Sequence, residues 1–206
     1  MRNYQLKTAA AEESRRCLSR KPNLSAASTD ILSWKNKIAR AAWRIAWALL
    51  YRPTPRGLHA WRRTLLRLFG ARIGRGVHPY PTARIWAPWN LEMGDGSCLG
   101  EHVECYCVGR VTIGAHSTVS QFSHLCAATR SFEVPGMPLI IAPITVGAHV
   151  WITTDVFVGP GVKIGDGAVI GARSSVFSDI DEWMVAYGSP ARPIRQRNAK
   201  WIRCQN

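Results

Sequence analysis

A repeat with a period of six residues constrains the fold of this chain more than any other feature. Stepping by six through residues 146–176 meets an aliphatic residue every time: Val146, Ile152, Val158, Ile164, Ile170 and Val176. The fourth residue after each is small or β-branched, and glycine follows four of the six. A period of six is not helical and is not the two-residue alternation of a simple strand. It indicates short strands with a corner at every sixth residue.

The same frame starts earlier and shifts by two residues at two places. Its earlier members are Ile73, Pro79, Ile85, Leu91, then Met93, Leu99, Cys105, then Ile113, Val119 and Leu125. Three hexads close one triangular coil of about 18 residues, and because no coil buries its own apolar face, stability comes from stacked neighbours. The pattern therefore predicts an all-β fold, a left-handed parallel β-helix over residues 71–192.

One segment breaks the frame, between Leu125 and Val146. Residues 127–143 contain three prolines and Gly136. Insertions on a rigid scaffold are where functional sites concentrate. We predict an inserted loop that folds over an active-site cleft.

Positive charge is concentrated before the repeats. Residues 1–72 hold 16 Lys and Arg against three acidic residues, which accounts for most of the net charge of +14. Residues 1–30 contain few large apolar side chains, and we predict a disordered basic tail there. We predict a second basic tail over residues 193–206, which contain four Lys and Arg and no acidic residue. No nucleic-acid motif accompanies this charge, so we expect no nucleic-acid partner.

Two helices are predicted within residues 31–70, separated by the prolines of residues 52–57. On the first, apolar residues recur at steps of three and four: Trp34, Ile38, Ala41, Ala42, Ile45 and Leu49. The apolar run over residues 45–51 is too short to span a bilayer, which needs about 20 residues. Two roles stay open: packing against the β-helix, or lying in the interface of an anionic membrane.

The six cysteines form no CxxC pair and no disulfide framework, and the N-terminus lacks the apolar core of a signal peptide. A reducing cytoplasm is the expected compartment.

Three stretches resemble a known family: residues 61–71 (WRRTLLRLFGA), 88–92 (PWNLE) and 188–192 (GSPAR). Over residues 34–197 the chain resembles the hexapeptide-repeat acyltransferases, and among them the WcaF-type colanic acid biosynthesis acetyltransferases. The resemblance implies a homotrimer with clefts between subunits, acetyl-CoA as co-substrate, and a carbohydrate hydroxyl as acceptor in exopolysaccharide or surface-glycan synthesis.

The resemblance also assigns residues to the site. We expect Asn90 and Arg130 on the substrate side. Acetyl-CoA is expected against Trp151, Thr153, Gly171, Arg192 and Arg195.

The catalytic base is the point at which this sequence departs from the family. Arg130 stands where the family carries a histidine in its loop, and an arginine stays protonated, so it is no general base. His124 and His102 are the remaining candidates, since imidazole suits proton abstraction at neutral pH.

Two alternatives follow from that departure. One is a catalytically silent trimeric CoA- or glycan-binding homologue. The other is a zinc enzyme of the γ-carbonic anhydrase kind, using His102, His116 and His124. These histidines lack that family's close-spaced pair, so no metal is expected.

Overall fold

The computed structural model describes residues 25–26, 33–133 and 135–198. Short parallel strands stack in three sheets that form the faces of a triangular prism. The first face holds β2 (Arg72–Ile73), β5 (Leu91–Met93), β8 (Val111–Ile113), β13 (Ile144–Val146) and β16 (Lys163–Ile164). The second holds β3 (His78–Pro79), β6 (Cys98–Leu99), β9 (Thr118–Val119), β14 (Trp151–Ile152), β17 (Val169–Ile170), β19 (Met184–Gly188) and β20 (Ala191–Gln196). The third holds β4 (Arg84–Ile85), β7 (Glu104–Tyr106), β10 (His124–Cys126), β15 (Phe157–Val158) and β18 (Ser175–Val176).

The residues of the six-step frame form the interior of the prism. All of them are buried, from Ile73 at 8% exposed to Val176 at 0%. In the series from Val146 to Val176 the residues four places later are buried as well. The prediction of a β-helix built on this frame is therefore confirmed.

Glycine after the aliphatic residue has a role that the sequence did not reveal. Neither Gly114 nor Gly147 has a positive φ. They are required because the coils approach closely: a Cβ on Gly114 would lie 2.5 Å from the carbonyl oxygen of Gly147. The left-handed conformation falls two residues later, at His116 (φ 57°) and His149 (φ 56°).

Two helices close the lower end of the prism. Helix α1 (Trp34–Ala46) is capped by the Ser33 side chain, which accepts a hydrogen bond from the Asn36 amide at 3.3 Å. It continues as a π-helical segment (Trp47–Tyr51), and helix α2 (His59–Leu68) follows the proline turn. A short 3₁₀ helix (Pro88–Asn90) lies in the first coil.

Side chains of the N-terminal helices donate hydrogen bonds to backbone carbonyls at the open edge of the first coil. Strand edges expose unpaired carbonyls, and here side chains donate to them. Trp43 Nε1 donates to the Ile85 carbonyl at 2.6 Å and Trp47 Nε1 donates to that of Ala83 at 2.9 Å. Arginines of α2 bond four more: Arg62 to Pro79, Arg63 to Val77, and Arg67 to Ile73 and Gly74. Part of the N-terminal basic charge is therefore structural.

The inserted segment is a hairpin rather than the irregular loop that we predicted. Strands β11 (Ala128–Arg130) and β12 (Leu139–Ile141) pair antiparallel, and β1 (Ser25–Ala26) pairs with β12. These pairings satisfy backbone groups that a loop would leave to water. Apart from residues 25–26, the predicted tail over residues 1–30 lies outside the described residues.

The C-terminal boundary is also corrected. Residues 193–196, assigned to a basic tail, belong to β20, because that strand pairs antiparallel with β19. Residues 199–206 lie outside the described part of the chain. Among the described residues, no helix is both long and apolar enough to cross a membrane.

Candidate active site

The third face of the prism carries a column of outward-pointing residues in register. Parallel pairing places Arg84 beside Glu104, Glu104 beside His124, His124 beside Phe157, and Phe157 beside Ser175. Each precedes an interior residue of the six-step frame, so alternation along the short strand turns it outward. We call these five residues the face column.

A cavity of about 960 Å³ lies over this face. A second column, from the adjoining corner, forms its rim. It consists of His102, Phe122, Asp155 and Arg173, all in the left-handed conformation. Trp47 and Arg52 contribute from the N-terminal helical segment. The cavity therefore combines imidazole, carboxylate, guanidinium and hydroxyl groups within one concave surface.

His124 lies in the middle of the face column. Its ring is half-buried between Tyr106 and Phe157, at centroid distances of 6.5 and 5.5 Å. Its Nε2 atom is shielded from solvent and makes no hydrogen bond within the protein. A buried polar atom without a partner costs free energy unless a ligand or water supplies one.

His102 lies on the rim, one coil below His124. Its ring stacks on Phe122 at 5.2 Å with planes 3° apart, and its backbone N–H donates to Thr82 Oγ1 at 3.0 Å. The structure thus brings both candidate histidines to one cavity. His102 is exposed, whereas His124 is half-buried.

Two charge pairs lie beside the histidines. Arg84 Nη1 is 3.4 Å from Glu104 Oε1, and Arg173 Nε is 3.5 Å from Asp155 Oδ2. All four side chains are largely exposed, so these pairs contribute little to stability. Of the two carboxylates, that of Glu104 belongs to the residue paired directly with His124.

Arg130 is held by its own hairpin. It is exposed on β11, and Nη1 donates to the Met137 carbonyl at 3.1 Å. Asn90 is similarly engaged, because its amide donates to the carbonyls of Cys107 at 3.1 Å and Val108 at 2.8 Å. Neither lines the cavity of this single chain.

The residues expected against acetyl-CoA lie together on the second face. Trp151 donates to Ser120 Oγ at 3.0 Å, and Thr153 Oγ1 donates to the Ile170 carbonyl at 2.7 Å. Gly171 lets Tyr187 approach, since a Cβ there would be 2.7 Å from that of Tyr187. Arg192 and Arg195 are exposed on β20. This face adjoins the histidine face and is not part of the same cavity.

Sequence reasoning missed most of the cavity. Steps of 20 residues back from His124 reach Glu104 and Arg84, and the same step back from Phe122 reaches His102. This 20-residue spacing could have predicted the cavity residues, because the coil length determines which residues stack on one another. We used the repeat to predict interior residues only.

Within the described part of the chain, no cluster of three or more His, Cys, Asp or Glu side chains is arranged to hold a metal ion. The four cysteines there are free thiols, and burial raises the pKa of Cys98 to about 11. That thiol is therefore protonated and weakly nucleophilic at neutral pH.

Comparison with known proteins gives close relatives. The chain is 44% identical over 162 residues to the colanic acid biosynthesis acetyltransferase WcaF of Escherichia coli (strain K12), covering 79% of this chain and 89% of that protein. It is 54% identical to the galactoside O-acetyltransferase of the same organism over 56 residues, which is 27% of this chain and 28% of that protein. No family model matches the chain.

Solved structures share the fold at low sequence identity. A hexapeptide-repeat acetyltransferase of Vibrio cholerae, in complex with acetyl coenzyme A, matches with a TM-score of 0.72 and 23% identity, covering 80% of this chain and 90% of that one. A maltose O-acetyltransferase of Clostridium difficile 630 matches with a TM-score of 0.71 and 20% identity, covering 86% and 95%. The left-handed β-helix expected from the repeat is thereby confirmed. This chain belongs to the hexapeptide-repeat acetyltransferases, in the family of the WcaF-type enzymes.

Proposed function

We propose that this protein transfers an acetyl group from acetyl-CoA to a sugar hydroxyl during exopolysaccharide or surface-glycan synthesis, with His124 as the general base. The observation that carries the proposal is the half-buried His124 imidazole, which lines a cavity of about 960 Å³ directly beside Glu104. An acceptor hydroxyl that enters the cavity meets the exposed part of this ring.

The chemistry assigns a separate task to each group. A nitrogen of the His124 ring takes the proton of the acceptor hydroxyl as its oxygen attacks the thioester carbonyl. The imidazolium that forms is stabilised by the Glu104 carboxylate on the neighbouring strand. The tetrahedral intermediate then expels the CoA thiolate, which takes up the proton. Sugar ester and free CoA are the products.

His102 is proposed to bind the acceptor sugar. Its exposed ring, held by stacking on Phe122, suits a hydrogen bond to another hydroxyl of the acceptor. Acetyl-CoA is proposed to lie along the second face, near Trp151 and Thr153. Arg192 and Arg195 have the charge required to pair with its phosphates.

The proposed assembly is a homotrimer, because the relevant groups of one chain lie on two different faces. A cleft between subunits brings the histidine face of one protomer to the acetyl-CoA face of the next, with the β11–β12 hairpin reaching over it. Arg130 and Asn90 are proposed to meet substrate or the neighbouring subunit in that cleft. The proposed location is the cytoplasm, with peripheral contact at the inner face of the plasma membrane.

The direct test is acetyl transfer. The purified full-length chain is incubated with radiolabelled acetyl-CoA and a panel of oligosaccharides, and labelled saccharide is separated from labelled acetate. We expect a labelled O-acetyl ester that alkali removes, and loss of the signal in His124→Asn. Binding of CoA without transfer to any acceptor would contradict the proposal and indicate the silent homologue.

A further inference from the structure

The first helix buries the side opposite to the one that its apolar pattern indicates. Trp43 and Ala46 pack into the core and Trp47 bonds the first coil. The apolar residues of the predicted stripe point away from the prism. Four of them, Trp34, Ile38, Ile45 and Leu49, are 66%, 58%, 61% and 67% exposed, and we call these four residues the outer stripe.

The outer stripe is one continuous surface. Its members recur at steps of four and seven, so they lie on one side of the helix. Leu50, at 46% exposed, adjoins its C-terminal end. Exposed large apolar residues that occur singly need no explanation, but a contiguous row over four turns marks an interaction surface.

The charged residues of the first helix are all cations. Lys35, Lys37 and Arg44 are exposed on the same helix. No Asp or Glu occurs between residues 31 and 91, where 12 Lys and Arg residues lie. Three of those, Arg62, Arg63 and Arg67, bond carbonyls of the first coil. On α1, Arg40 lies over the Trp86 ring of that coil at 4.4 Å, whereas Lys35, Lys37 and Arg44 make no hydrogen bond to it.

We propose that the outer stripe docks onto an anionic lipid bilayer, with α1 lying in the plane of the interface. The apolar row enters the boundary between headgroups and acyl chains, and Lys35, Lys37 and Arg44 meet anionic headgroups. A second copy of the chain fits this surface poorly, because pairing two such helices brings uncompensated cations together.

Docking also determines how far the cavity lies from the bilayer. Trp47 belongs to the helical segment that carries the stripe and lines the cavity on its other side. The cavity wall is therefore about one helix diameter, roughly 10 Å, from the lipid surface. The inference rests on the peripheral location proposed above, and it makes no use of the acetyl-transfer chemistry.

The test is sedimentation of the full-length protein with vesicles. We expect binding to phosphatidylglycerol mixed with phosphatidylcholine, weakening as salt rises, and little binding to phosphatidylcholine alone. The double variant Ile38→Glu, Leu49→Glu should lose binding by more than tenfold. Neutralising Lys35, Lys37 and Arg44 to glutamine should weaken it about 100-fold, from the expected effect of each cation near an anionic surface.

The controls separate the alternatives. A matched double variant, Phe132→Glu with Ile194→Glu, changes residues that are 84% and 51% exposed elsewhere and should bind vesicles as the parent does. Equal binding to both vesicle types, or full binding by the stripe variant, overturns the proposal. So does a fall in the molar mass of the stripe variant by light scattering, because the stripe would then be a contact between copies.

The acetyl-transfer proposal is tested separately by the same variants. The stripe variant should keep its melting temperature and its transfer to a soluble acceptor. If transfer is absent in the parent while vesicle binding follows the predicted pattern, the docking inference stands and the proposed function fails.

Discussion

Glu104 and His124 are direct neighbours across parallel strands β7 and β10, and both point outward into the same cavity. The pairing follows from the coil length of 20 residues at this height. It places the backbones of the two residues about one strand spacing, roughly 4.8 Å, apart. No hydrogen bond joins them, so any influence of Glu104 on His124 is electrostatic.

That relationship predicts an energetic coupling. Glu104→Gln should lower kcat/KM about tenfold, because a carboxylate on the strand beside the imidazolium, near a protein surface, contributes on the order of 1–2 kcal/mol. In the His124→Asn background the same change should have no further effect. Steady-state kinetics on the four proteins of this cycle measure the coupling, and strictly additive losses would contradict it.

The candidate base is tested against its two competitors. His124→Asn should lower kcat/KM by about 10²–10⁴-fold, the usual contribution of a general base. His102→Asn should act mainly on KM for the acceptor. Arg130→Ala should leave kcat within about threefold of the parent and act on KM, because an arginine is no general base and its proposed role in the cleft is binding. A large loss in Arg130→Ala with normal His124→Asn activity would reverse the assignment.

Close contact between coils predicts a large cost for one methyl group. Gly114→Ala should lower the free energy of unfolding by about 3 kcal/mol, since the new Cβ overlaps the backbone of Gly147. Gly57→Ala is the matched control, because nothing lies within 4 Å of a Cβ there. Denaturant unfolding of both variants measures the difference, which should be absent if the coils can separate without cost.

Arg62, the buried arginine of helix α2, should be essential for stability. Arg62 is 0% exposed and donates to Pro79, Pro55 and Thr54, and burial lowers its pKa. Arg62→Met should cost about 3 kcal/mol, because it leaves several buried acceptors without donors. Arg63→Met removes a single bond to Val77 and should cost about 1 kcal/mol. Equal melting temperatures for the two variants would contradict this account.

His59 predicts a pH dependence with a definite sign. Burial lowers its pKa from 6.5, and nearby Arg62 and His78 lower it further, against a bond to the Pro79 carbonyl that raises it. The unfolded chain therefore takes up the proton first, so this group's contribution is complete above about pH 6.5 and is lost as pH falls. The free energy of unfolding of His59→Gln should decline less than that of the parent between about pH 7 and pH 5. A steeper decline in the variant would refute the sign.

The interior of the fold was predictable and its lower end was not. Every residue of the six-step frame lies in the interior, because each coil repeats the same local geometry. The helix pattern gave the outer stripe correctly as an apolar row, but not which side of α1 packs. That choice depends on Trp43 and Trp47, whose indoles donate to Ile85 and Ala83 about 40 residues away. No local pattern encodes such a pairing.

Only part of the candidate site was predictable, because most of its residues are distant in sequence. The histidines were found by their chemistry, whereas Glu104, Asp155 and Arg173 required the stacking of coils to be read outside the core. The hairpin of the inserted segment depends on pairing across residues with little strand signal, so proline content alone suggested a loop.

The face column separates what the chain needs to fold from what it needs to react. Leu125 points inward and is buried, while the adjacent His124 points outward, so exchanging an outward residue leaves the stacked interior unchanged. Because outward residues do not pack in the interior, a general base lost from one coil can be replaced by a residue on another coil without any change in the core. In this chain the imidazole stands six residues before Arg130, on the strand that leads into the hairpin.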